Sequence, residues 1–188
     1  MNVTARLFLV ALATAAQPLC ASAPAVDPAE GALIAQLVCN RPPTAAPLIR
    51  SLVKARALRR IDAGVDGSTR FGPKRPFALF GFPVVHVTGW QANAAGDVVS
   101  PFTRGPGTMP PTFLAVSVVA QPDAVERVLK ATRVRLVAYV RDLREPDPQR
   151  KRKVPGIEVR AGDVDDAEPA NRGLTTLMCM AEPEDFTP

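Results

Sequence analysis

The spacing of apolar positions along the chain takes three forms, and each form predicts a different kind of element. Residues 7–16 (LFLVALATAA) are apolar apart from Thr14, follow the lone cation Arg6, and are broken by Gln17 and Pro18 before the small residues Ala21, Ser22 and Ala23. That order is the signature of a secretory signal peptide. The apolar run is about half the roughly 20 residues a membrane span needs, so it is not an anchor. The leader is expected over 1–23. Because Pro24 would follow a cut at Ala23, cleavage is bracketed to 21–25, leaving 24–188 as a single globular domain.

Helical spacing follows. Asp27-Pro28-Ala29-Glu30 supplies a cap, a proline for the first turn and a capping-box acid. It predicts a helix to about Cys39, stopped by Asn40-Arg41-Pro42-Pro43. A second helix is predicted from Thr44 to about Arg59 on the stripe Leu48, Ile49, Leu52 and Val53.

From Ile61 onward the pattern is one of strands and turns. Residues 62–72 predict a loop with a short strand at 68–71. Residues 77–90 (FALFGFPVVHVTGW) predict a long strand, with Phe80, Phe82 and Val84 on one face and Leu79, Val85 and Val87 on the other. Gly81 and Pro83 within it indicate a bulge or an edge position. Further strands are predicted at 97–103 and 113–120, and a helix at 123–131 with Val125, Val128 and Leu129 inward. The alternating run 133–143 predicts another strand. A polar loop over 144–153 ends in Arg150-Lys151-Arg152-Lys153, and the last strands are 154–161 and 174–181, separated by an acidic loop.

Hairpin-sized connections and the lack of long crossovers predict an α+β fold. It is an antiparallel sheet of six or seven strands with two to three helices on one face, arranged as two helix-plus-strands units in tandem.

Composition adds an address and a constraint. The 23 basic and 18 acidic residues, less Arg6 in the leader, leave a net charge of about +4, too small to point to nucleic acid. Cys20 leaves with the leader, so Cys39 and Cys179, 140 positions apart, are expected to form a disulfide in an oxidising compartment. A loop of that length constrains the unfolded chain by about 4 to 5 kcal/mol. The protein is therefore expected in the periplasm or secreted, with no membrane anchor after cleavage.

Candidate chemistry is sparse. His86 is the sole histidine. As a general base it would need a nucleophile and an orienting acid, but there is no G-x-S-x-G, and Ser117 falls in mid-strand. Met178-Cys179-Met180 offers soft sulfur to Cu(I), yet alternation along a strand sends Cys179 away from the two methionines. Asp163, Asp165, Asp166 and Glu168 lack the glycine and distal glutamate of a calcium loop and predict a solvated acidic loop. Arg104-Gly105-Pro106-Gly107-Thr108 is no P-loop but suits a recognition loop.

No catalytic residues, metal site or cofactor are thus expected. The favoured function is an exported, non-enzymatic protein-binding module, of inhibitor or immunity type, whose partner is another protein of the cell envelope. Trp90, Phe102 and Arg104 are the expected anchors. The alternative is a periplasmic small-ligand or anion-binding protein with its cleft near Arg104 and His86. A hydrolase ranks third.

Overall fold

A computed structural model describes residues 27–63, 69–91, 112–141, 151–163, 173–181 and 185. The export signal, the strand predicted at 97–103, and Phe102 and Arg104 lie outside the described residues.

Three ten-residue helices form where capping and apolar spacing place them. Helix α1 (Pro28–Leu37) starts at Asp27, whose Oδ1 accepts from Ala29 N at 2.7 Å, and buries Ala29, Leu33 and Leu37 four apart. Helix α2 (Ala45–Lys54) buries Ile49 and Leu52, and α3 (Pro122–Ala131) buries Val125 and Leu129.

All three stop on a non-glycine residue in the left-handed region: Cys39 (φ 57°), Arg56 (φ 60°) and Arg133 (φ 57°). In α2 and α3 the stop is closed by Ala57 N→Leu52 O (2.9 Å) and Val134 N→Leu129 O (3.0 Å). Glycine is the usual residue where a helix ends in this conformation, and a Cβ there costs about 1 kcal/mol. Without a glycine to mark it, the end of α2 falls earlier than the predicted Arg59. Residues assigned to helix and loop instead form strand β1 (Leu58–Ala63).

Strand β1 pairs with β2 (Thr69–Pro73). The predicted 77–90 strand divides into β3 (Ala78–Leu79) and β4 (Phe82–Trp90) around a two-residue turn at Phe80 and Gly81, both with positive φ. Strands β5 (Phe113–Val119), β8 (Glu158–Ala161) and β9 (Leu174–Met180) complete a seven-stranded antiparallel sheet in the order β1-β2-β4-β5-β9-β8, with β3 paired to β4. The helices pack on one face over Val87, Val116, Val118 and Leu177. The fold is the predicted α+β architecture, and both helix-plus-strands segments add to one sheet.

The basic run 150–153, predicted as loop, instead contributes strand β7 (Lys151–Val154), paired with β6 (Ala138–Arg141) in a separate two-stranded ladder. The predicted 133–143 strand is shortened because Arg133 closes α3. Beyond the ladder the two segments run close together at Leu136 and Ile157. Gly156 permits this, since a Cβ there would lie 2.5 Å from the Leu136 carbonyl carbon.

The predicted disulfide is present: Cys39 and Cys179 are bridged with Cα atoms 5.4 Å apart, tying the end of α1 to β9. No helix among the described residues is long and apolar enough to cross a membrane.

Candidate functional site

A one-residue irregularity in β4 creates the most distinctive chemistry among the described residues. The β4–β5 register steps from Val84↔Val118 to His86↔Ser117, leaving Val85 as the extra residue. Strict alternation would separate Val84 from Val87, three positions on. The bulge lets both face the helices. This replaces the predicted division of faces, in which Val84 opposed Val87. It also sends His86 to the far side of the sheet, in register with Ser117 of β5, which is opposite Thr176 of β9. Three consecutive strands thus carry a polar row, with His86 3%, Ser117 1% and Thr176 0% exposed.

Asp163 closes over this row from the end of β8. Its Oδ1 lies 2.9 Å from His86 Nε2 and accepts from Ser117 Oγ at 3.1 Å, while Arg70 NH1 stands 3.7 Å from Oδ2. Ser117 Oγ and Thr176 Oγ1 are 3.0 Å apart, and Thr176 donates to Gly162 O at 2.8 Å. Two hydroxyl protons therefore serve three contacts, so one of them is shared.

The electrostatics are those of a paired carboxylate. Burial pushes the Asp163 carboxyl up, but the hydrogen bond and charge of His86, the charge of Arg70 and the hydrogen bond from Ser117 together pull it below its ordinary value. An ionised carboxylate only accepts, so His86 Nε2 carries a proton.

Serine, histidine and aspartate in one place invite comparison with a hydrolytic triad. There, the hydroxyl donates to the imidazole, and the imidazole's other nitrogen donates to the carboxylate. Here Ser117 and His86 both turn to the same carboxylate oxygen, and His86 Nε2 is already protonated toward Asp163. Neither can relay the other's proton. What the cluster can do is hold Asp163 ionised and fix the end of β8 against the back of β4, β5 and β9.

No family model, curated protein or solved structure matches this chain.

The predicted site residues have different fates. His86 is on a sheet face as expected, sealed and engaged. Asp163, predicted in a solvated loop, is instead buried, with its side chain 2% exposed. Its burial follows from the buried partners across the sheet, and no local pattern in 163–168 marks it. Trp90 is half-buried and packs against the cluster of Phe113, Ala115 and Met178. Among buried side-chain polar atoms of the described residues, its Nε1 alone has no hydrogen-bond partner. Met178 and Cys179 face opposite ways, as alternation requires: Met178 packs with Phe113 and Ala115, and Cys179 with Cys39. Among the described residues, no three His, Cys, Asp or Glu side chains gather as a metal site.

The two ends of the main sheet differ sharply in charge. At the β8 end, Arg160 Nε and Glu158 Oε1 pair at 2.8 Å. At the β1 end, Arg59 and Arg60 are exposed beside Ile61, which is 44% exposed. Lys54 and Lys74 add exposed cations nearby, as Lys74 N bonds Ala57 O at 2.9 Å.

Proposed function

We propose that this protein is an exported, non-enzymatic interaction module, of inhibitor or immunity type, which binds an acidic partner protein along the β1 edge of its sheet. The observation that carries this reading is the exposed Ile61, preceded by the exposed Arg59 and Arg60, on the end strand. An end strand offers unpaired backbone groups to an incoming strand. The apolar side chain supplies contact, and the cations select an acidic partner and speed its approach. A periplasmic or secreted setting agrees with the Cys39–Cys179 bridge, which is compatible with an oxidising compartment. The wiring of His86, Ser117 and Asp163 supports binding over hydrolysis, because His86 turns to Asp163 and not to the serine, and all three side chains are buried.

The test is affinity capture from periplasmic extract with the wild type and with Arg59→Glu/Arg60→Glu, followed by calorimetry on the purified pair at two salt concentrations. The expected result is one acidic protein, lost with the variant and bound more weakly at high salt. Equal recovery by both forms defeats the proposal.

A further inference from the structure

A second surface, away from the buried cluster and just ahead of the start of β1, has the make-up of a ligand site. A groove of about 510 Å³ lies between the start of α1, the end of α2 and the connection from β2 to β3. Ala29, Ala32, Leu52 and Phe77 give it an apolar lining. Arg56 and Arg75 also line it; both are exposed, and neither has an ion-pair partner among the described residues. We propose that this groove binds an amphiphile carrying a single carboxylate, its hydrocarbon against Leu52 and Phe77 and its head between Arg56 and Arg75.

Three properties of the groove lead to that class. Its volume is in the range of small-ligand pockets, about 300 to 1,000 Å³, and an apolar lining with a few polar groups is their usual composition. A guanidinium presents paired donors that match a carboxylate. The local charge also balances for one negative group. Arg56 and Arg75 stand against Asp27, whose carboxylate caps α1 through Ala29 N, leaving one positive charge over. A monoanion neutralises the lining itself, and the exposed Lys74 beside Arg75 keeps the rim positive. Ser51 adds a hydroxyl to the lining.

Arg56 occupies the left-handed stop of α2 at φ 60°, the conformation that Cys39 and Arg133 take at the stops of α1 and α3, so glycine there would relieve strain while removing one of the groove's cations.

The inference does not depend on the proposed partner protein, since it uses neither Arg59 nor Arg60. The test is calorimetry on the full, disulfide-bonded chain with decanoate, decan-1-ol and decyl phosphate as probes. Decanoate should bind, and decan-1-ol at least about tenfold more weakly. Arg56→Gly should raise Tm by a few degrees and weaken decanoate about tenfold. Arg75→Gln should weaken decanoate similarly with Tm unchanged. Failure of decanoate to bind, equal binding of decan-1-ol, or unchanged affinity in both folded variants overturns the proposal. Tighter binding of decyl phosphate overturns the carboxylate assignment.

Discussion

The two faces of the central sheet are built from the same strands by opposite means. Toward the helices, Val87, Val116 and Leu177 form a row of fully buried apolar side chains. One residue away on each strand, His86, Ser117 and Thr176 form an equally buried row that is wholly polar. The first is stabilised by the area it removes from water. The second is tolerated because its hydrogen bonds are supplied, chiefly by Asp163, since a buried polar group left unpaired costs about 1 to 3 kcal/mol. The difference teaches that burial here reports two distinct things. On one side it measures cohesion, and on the other it measures how completely a polar network is satisfied.

Substitutions can break that contrast at several levels. The largest effect should come from removing the tether on the helix side. Cys39→Ala/Cys179→Ala should lower stability by about 4 kcal/mol in urea titration. Next, Leu177→Ala opens a cavity beneath the helices and should cost about 3 kcal/mol. On the polar side, Asp163→Asn should cost about 2 kcal/mol at neutral pH, by unpairing His86 and Arg70.

That third effect carries a pH signature. Because the Asp163 carboxyl is held below its ordinary value, its contribution is fully present above the unfolded aspartate value of about 3.9 and is lost as pH falls through the lower folded value. Urea midpoints of the wild type and Asp163→Asn should therefore converge below about pH 4. A gap that stays constant through that range would mean that the carboxylate's charge is not what stabilises the cluster. Smallest of the four, Thr176→Val removes one hydroxyl of the row and should cost about 1 kcal/mol. If it costs as much as its neighbour Leu177→Ala, the two faces are not built differently after all.

Much of the architecture was legible because it rests on local patterns. Asp27-Pro28 with Glu30 announced α1, the β-branched run 113–119 announced β5, and the pairing of two cysteines followed from compartment and count. The losses have physical causes too. Helix α2 ends at Arg56 with no glycine to mark it, so β1 was hidden behind a helix drawn too long. The β4 bulge changes which side chains share a face, and a register shift is a property of two strands, invisible in either alone.

The candidate cluster suffered most from this. His86, Ser117, Asp163 and Thr176 come from four separate segments, and none sits in a motif with another. Asp163 in particular is followed by further acids, a pattern that normally means solvent. The groove pairing Arg56 with Arg75 likewise arises only when the β1–β2 ladder draws their segments together.

The position of β9 has a consequence for how the molecule is made. This strand lies between β5 and β8 in the interior of the sheet, although it comes after all the other strands among the described residues. As the polypeptide emerges from a ribosome or a translocation pore, β5 has no neighbour on one flank until residue 180 is free, and the Cys39 thiol must wait for Cys179. Insertion of this one strand therefore both completes the sheet and brings the two thiols within reach of each other.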